Sequence, residues 1–305
     1  MQDSIIIKAR AINKSYGDYL ALNDISFDVK NNEIFGIIGP DGAGKSTIIR
    51  ILATLLLSDS GTCEILGFDV RRDFVKIRSF LGYMPAVFSL YMDLSIEENL
   101  NFFANIFGVS FEENYELIKP IYRSLEPFKK RKAAALSGGM KQKLALCAAL
   151  IHKPKILLLD EPSTGVDAVS RAEFWEILRK LKSEMCIVVS TPYMDEASLC
   201  DRIGLISQGR FGRIGTPSEI ISSFNKKLYS LENLPISMLT KLRNLQGIKS
   251  AILFGDSIHF TLDSTICDDR EILELERYLK QNLTSDLNIK PIYPNIEDCF
   301  MEFMR

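Results

Sequence analysis

No stretch of this 305-residue chain is long and apolar enough to cross a bilayer. Its longest apolar runs, 51–57 (ILATLLL) and 100–111 (LNFFANIFGVSF), fall short of the roughly 18 residues that a spanning helix needs. The first residues, MQDSIIIKARAINKSYG, lack the charged-then-apolar order of a secretory leader, so a cytoplasmic compartment is expected. Charge of one sign is lacking too: 37 basic residues face 39 acidic ones, a formal charge of −2, and no global field draws the chain to nucleic acid or an anionic membrane. The short KKRK run at 129–132 reads as a solvated helix end. Histidine is scarce, with only His152 and His259, both expected as ordinary surface or packing residues. Six cysteines (Cys63, Cys147, Cys186, Cys200, Cys267, Cys299) form no CxxC pair, which argues against zinc or redox centres and for reduced, mostly buried thiols. There is no repeat and no low-complexity tract.

What is present is apolar substance in ordinary proportion. With 47% hydrophobic and 25% charged residues the chain can bury a sizeable core, and its length suggests one large domain with a smaller one. The opening third alternates in the manner of short strands: SIIIKARAINKSY, ALNDISFDVKNN and EIFGIIG. From about 86 to 150 apolar residues recur at three-to-four spacing, which predicts inserted helices at IEENLNFFANIFG, FEENYELIKPIYRSLEPF and GGMKQKLALCAALIHK. KILLLDEP and MCIVVST, with the helix SRAEFWEILRKLKSE between them, restore a βαβ pattern and hence a parallel sheet. The expected division is a domain over 1–225 and an α+β appendage over 226–305, with a hairpin turning at Gly255-Asp256.

The chemistry lies in the first of these. GPDGAGKST, residues 39–47, follows a buried strand, opens a helix, and fits G-x-x-x-x-G-K-[ST]. Gly39, Gly42 and Gly44 let the backbone of Pro40, Asp41 and Ala43 curl until its N–H groups converge on a triphosphate, aided by the helix dipole. Lys45 supplies a cation to the β and γ oxygens, Ser46 a hydroxyl to Mg²⁺, and Thr47 a hydrogen bond to a phosphate oxygen. In ILLLDEPSTGVD, 156–167, a wholly apolar strand delivers Asp160 to its carboxyl end, where open α/β sheets bind ligands. Asp160 is the second expected Mg²⁺ ligand, and Glu161 is placed to polarise a water in line with the γ-phosphate.

LSGGMKQ, 136–142, stands just upstream of that strand and resembles the signature of ABC ATPases. The resemblance covers about residues 5–225 and implies a P-loop NTPase of ABC type: a β-rich N-terminal subdomain, a parallel-sheet core and an inserted helical subdomain. Ser137, Gly138 and Gly139, opening a helix, make an anion nest that in the family completes the ATP site of a second, head-to-tail subunit. Tyr16 resembles the aromatic that stacks on adenine, and Asp167 the aspartate of the loop that crosses to the partner. STPYMDEASLCDRI and TGVDAVSRAEFWEIL are most similar to bacterial multidrug-type export ATPases.

The implied function is an ATP-hydrolysing subunit that dimerises around ATP, as a homo- or heterodimer, and drives export through a separate membrane permease. Such a subunit lies on the inner face of the membrane and has no nucleic-acid partner. Two positions depart from the family: Ala86 stands where a glutamine is usual and Pro192 where a histidine is usual. Asp41 replaces a commoner asparagine. Those departures predict slowed hydrolysis and leave open an alternative, a weakly hydrolysing regulatory subunit of a heterodimeric complex.

Overall fold

A computed structural model describes residues 4–233, 235, 239–245, 247–262, 269–282 and 287–304. The chain divides into two compact units, up to Pro217 and from Ser218 onward.

In the first unit a long hairpin, β1 (Ile5–Tyr16) and β2 (Tyr19–Lys30), pairs Tyr16 with Tyr19 across a two-residue turn. β3 (Ile34–Ile38) leads into α1 (Lys45–Leu52). β4 (Ser60–Ile65) and β5 (Phe68–Asp69) complete an antiparallel sheet in the order β2-β1-β4-β5. After α2 (Phe74–Arg78) and β6 (Leu81–Met84) come three helices: α3 (Ile96–Ile106), α4 (Tyr115–Tyr122) and α5 (Gly138–Leu150). The chain returns through β7 (Ile156–Asp160), α6 (Ala168–Leu181), β8 (Cys186–Thr191), β9 (Arg202–Ser207) and β10 (Arg210–Gly215). The second sheet runs β10-β9-β3-β8-β7-β6, parallel except for β10.

β3 (IFGII), β7 (ILLLD) and β8 (CIVVST) are buried at every residue, the mark of parallel strands covered on both faces. One core joins both sheets to α1, with Ile49, Leu52, Phe35, Leu158 and Val188 essentially inaccessible. The three helices follow the helical spacing seen in the sequence, and their caps explain where they start. Ser95 and Glu98 form a reciprocal capping box at α3, and Ser137 caps α5 by accepting from Met140 N at 3.4 Å. The 86–95 loop is pinned by buried Asn99, which accepts from Tyr91 N and donates to the carbonyls of Tyr91, Leu94 and Ser95. The KKRK run does not end an α-helix: it follows a 3-10 turn (Glu126–Phe128), and Lys132 bridges to Ser95.

The second unit begins within α7 (Pro217–Ser222) and runs β11 (Leu228–Glu232), α8 (Leu239–Arg243), β12 (Ile248–Phe254), β13 (Ser257–Leu262), α9 (Asp269–Asn282), β14 (Asn288–Ile292) and α10 (Ile296–Phe303). Its sheet, β12-β13-β11-β14, is antiparallel throughout, so β11 to β14 form a split βαβ arrangement. Tyr229, Leu231, Phe260 and Leu279 form its apolar core. On the other face His259 pairs with Asp298 of α10 at 2.8 Å, and Cys299 approaches Ile220 O. Cys63, Cys147, Cys186, Cys200 and Cys299 are buried and form no disulfide among the described residues, with burial pushing the Cys63 thiol up to about 12; Cys267 lies outside the described residues.

Candidate nucleotide-binding site

Sheet register builds the site. β3, β8 and β7 lie side by side and parallel, with Ile38 opposite Thr191 and Ser190 opposite Asp160, so three strands end at one edge. β3 feeds the glycine loop, β8 delivers Ser190, and β7 delivers Asp160 and Glu161.

The loop is packed too closely to tolerate other side chains. A Cβ on Gly39 would lie 2.2 Å from Ile206 O, and one on Gly44 (φ 105°) 2.7 Å from Ala21 O. Gly42 (φ 77°) instead faces open space, as a cradle for an external group would. Gly39 N donates to Thr191 O, Ala43 N to Pro40 O, and Gly209 N to Ala43 O.

Beside the loop lies a cavity of about 350 Å³ that brings together Tyr16, Gly42, Gly44, Lys45, Ser46, Thr47 and Glu161, together with Tyr19 and Ala21. Tyr16 is 46% exposed, as a stacking platform must be. Lys45 is only 3% exposed: its ammonium donates to Pro40 O at 3.0 Å and pairs with Glu161 at 3.1 Å. Asp41 is its outer neighbour at 3.6 Å, with an almost wholly exposed carboxylate.

Behind this pair a buried chain of oxygens runs through Asp160. Ser46 Oγ donates to Asp160 Oδ1 at 2.9 Å, and Ser190 Oγ donates to the same oxygen at 2.7 Å. Ser190 also accepts from Glu161 N at 3.1 Å through both its carbonyl and its hydroxyl. Glu161 takes the left-handed backbone conformation, φ 50°, uncommon outside glycine and costing of order 1 kcal/mol or more. That turn swings its carboxylate off the strand line to Lys45. Neither Ser190 nor the turn at Glu161 is visible to motif reading, although SerThr at the end of an apolar strand is a signal for the first.

Ser137, Gly138 and Gly139 line no part of this cavity. They open α5 beside the next loop, where a Cβ on Gly138 would sit 3.4 Å from Gly165 O and one on Gly139 2.7 Å from Ser170 Oγ. Asp167 caps α6, and the Ser170 N–H it accepts holds its carboxyl below the usual range. Ala86 and adjacent Val87 are exposed, and Pro192 is half-buried just beyond β8. The two histidines are elsewhere: His152 stacks on Phe107 at 3.7 Å and donates to Leu81 O, and His259 belongs to the second unit.

The site fits a magnesium nucleotide. Free loop N–H groups and Lys45 suit a triphosphate, whereas the adjacent oxygens of Ser46 and Asp160 are the hard donors Mg²⁺ prefers. Among the described residues no cluster of three or more His, Cys, Asp or Glu could hold a metal alone, so the cation would need phosphate and water oxygens as well.

Fold and site together define a phosphate-loop nucleoside-triphosphatase cassette. A family model described as ABC transporter matches residues 22–164. The linearmycin resistance ATP-binding protein LnrL of Bacillus subtilis is 36% identical over 221 residues, 71% of this chain and 71% of its own. The Nod factor export ATP-binding protein I of Burkholderia lata is 38% identical over 221 residues, 71% of this chain and 73% of its own. The chain therefore belongs to the ATP-binding proteins of ABC transporters. The probable multidrug ABC transporter ATP-binding protein YbhF of Escherichia coli is 41% identical over 221 residues, but the match spans 70% of this chain and only 38% of that longer relative. Among solved structures, an ATP-binding subunit of an ABC transporter superimposes with a TM-score of 0.66 at 28% identity, covering 72% of this chain and 93% of the other. A dimeric post-hydrolysis cassette bound to ADP and Pi gives 0.63 at 27% identity, covering 69% and 98%.

Proposed function

We propose that this chain hydrolyses Mg-ATP at the described cavity, closes on a second ATPase subunit around the nucleotide, and drives export through a separate membrane permease from the inner face of the membrane. The observation that carries this reading is the convergence of Lys45, Glu161 and the Ser46–Asp160–Ser190 chain at the end of three parallel strands. Bound Mg²⁺ would neutralise charge on the phosphates, with Ser46 and Asp160 as its protein ligands. Lys45 and the free N–H groups of the glycine loop orient the β and γ phosphates, and Tyr16 carries the adenine ring. Glu161, on its strained turn, accepts the proton of the attacking water.

Ser137, Gly138, Gly139 and Asp167 are assigned to the partner's nucleotide, because they stand outside this cavity, the first three at the start of α5 and Asp167 at the start of α6. Closing on ATP then stores binding energy as subunit motion, since only the closed form has ligand bridging both subunits. Export is supported by two relatives, one named as a linearmycin resistance ATP-binding protein and the other as a Nod factor export ATP-binding protein. A second cavity, about 390 Å³ and largely apolar (Leu55, Met84, Phe103, Ile106), is lined by Pro85 and Ser89, which flank the exposed Ala86–Val87 stretch; it is a surface suited to the permease. No helix among the described residues is long and apolar enough to cross a membrane itself. Residues 226–305 carry none of the nucleotide-site residues and are assigned an accessory role.

The experiment is phosphate release by the purified chain with ATP and Mg²⁺, against the same mixture with EDTA. Magnesium-dependent release that Glu161→Gln abolishes supports the proposal, and release indifferent to both refutes it.

A further inference from the structure

We infer that Tyr19 is a positioning residue of the phosphate loop, setting its grip on the phosphates from outside the motif. This rests on the reading of the cavity as a nucleotide site. The phosphate loop works only if its peptide groups face one way, N–H toward the ligand and C=O away. In this structure several of the loop's carbonyls have a donor of their own. Pro40 O accepts from the Lys45 ammonium and from Ala43 N, and Ala43 O accepts from Gly209 N. Those donors are buried or belong to the backbone.

The Gly42 carbonyl is held differently: it accepts from the Tyr19 hydroxyl at 3.0 Å, and no other donor to it is found among the described residues. Gly42 is the loop's most permissive residue. Its φ is 77°, and nothing stands within 4 Å of where a Cβ would be. One exposed side chain thus holds the carbonyl of a loop glycine that has open space beside it.

Hairpin geometry places Tyr19 there. Tyr16 and Tyr19 are cross-strand partners at the end of β1 and β2, and both line the same cavity. The two rings divide the labour: Tyr16 presents its face to a base, whereas Tyr19, 56% exposed, sends its hydroxyl to the backbone beneath the phosphates. A neutral hydrogen bond of this kind is worth about a 2–10-fold change in affinity.

The test compares the parent with Tyr19→Phe and Tyr16→Ala, using ATP and inorganic tripolyphosphate, which has no base, as competing probes. Tyr19→Phe keeps the ring and loses only the hydroxyl, so its melting temperature without ligand should match the parent's. It should weaken ATP and tripolyphosphate by the same factor of about 2–10, and in turnover the effect should fall on KM rather than kcat. Tyr16→Ala should weaken ATP and spare tripolyphosphate. If the parent binds both probes and Tyr19→Phe binds them equally well, the positioning role is wrong. If Tyr19→Phe weakens ATP alone, Tyr19 acts on the base, and the role is again wrong. A parent that binds neither probe overturns the nucleotide site itself, and this inference with it.

Discussion

The Lys45 ammonium and the Glu161 carboxylate meet at 3.1 Å inside the nucleotide cavity, with Lys45 almost fully buried and Glu161 82% shielded by its complement of 18% side-chain exposure. The residue that would grip phosphate and the residue that would activate water are thus each other's partner in this structure. Sequence reading makes Lys45 a loop cation; the structure makes it a buried charge compensated by Glu161, Pro40 O and, at 3.6 Å, Asp41.

Replacing Lys45 by alanine removes a charge-assisted contact to phosphate and leaves Glu161 facing the ligand uncompensated. ATP affinity should fall by about 10–100-fold or more. Isothermal titration of the purified variant checks this, and circular dichroism confirms that the fold is kept.

Ser190 ties the Asp160 carboxylate to the backbone of Glu161, donating to Asp160 Oδ1 at 2.7 Å and accepting from Glu161 N at 3.1 Å. Ser190→Ala leaves Asp160, 1% exposed, with one partner fewer. The expected cost is about 1–3 kcal/mol of stability, together with lower turnover, since the Glu161 turn loses a tether. Denaturant unfolding and steady-state ATPase rates measure the two effects.

How much of this could be read beforehand differs from residue to residue. Strands such as ILLLD and the helices of 96–150 are written in apolar spacing, and GPDGAGKST fixes loop and helix together because its chemistry needs both. Ser190 was hidden because its role arises from parallel register, Asp160 opposite Ser190, which joins positions 30 apart in sequence. The turn at Glu161 is a backbone angle against local preference, and only the surrounding fold holds it. Tyr19 was within reach: a two-residue turn at Gly17-Asp18 makes Tyr16 and Tyr19 cross-strand neighbours, but its hydrogen bond to Gly42 needs the loop in place.

Pro192 sits at the end of β8 with neither side-chain donor nor backbone N–H, and Ala86 is an exposed methyl. If, as the resemblance implies, a histidine at this position contacts the γ-phosphate, proline cannot supply that contact, a loss that at comparable donors costs about 10²–10³ in rate. Pro192→His combined with Ala86→Gln should raise the ATPase rate at saturating Mg-ATP with little change in ATP affinity. A parent that already matches the double variant would show that another residue fills the role.

Burial holds the His152 imidazole below its ordinary pKa, although its hydrogen bond to Leu81 O works the other way. The unfolded chain therefore takes up this proton at a higher pH than the folded one. Stability should decline as pH falls below about 6.5 and level off once pH is below the folded value. His152→Gln should flatten this part of the pH profile, as read from denaturant midpoints about one pH unit on either side of the ordinary imidazole value.

In the proposed mechanism Glu161 is the base of an ATP site completed by a second subunit. Glu161→Gln removes the base and the negative charge that engages Lys45 while leaving the loop intact. The most direct measurement is the molar mass of Glu161→Gln by size-exclusion chromatography with light scattering, with and without Mg-ATP. A monomer without nucleotide, a stable dimer with ATP and no turnover are expected; a variant that stays monomeric in ATP and hydrolyses it at the parent's rate would contradict this role of Glu161.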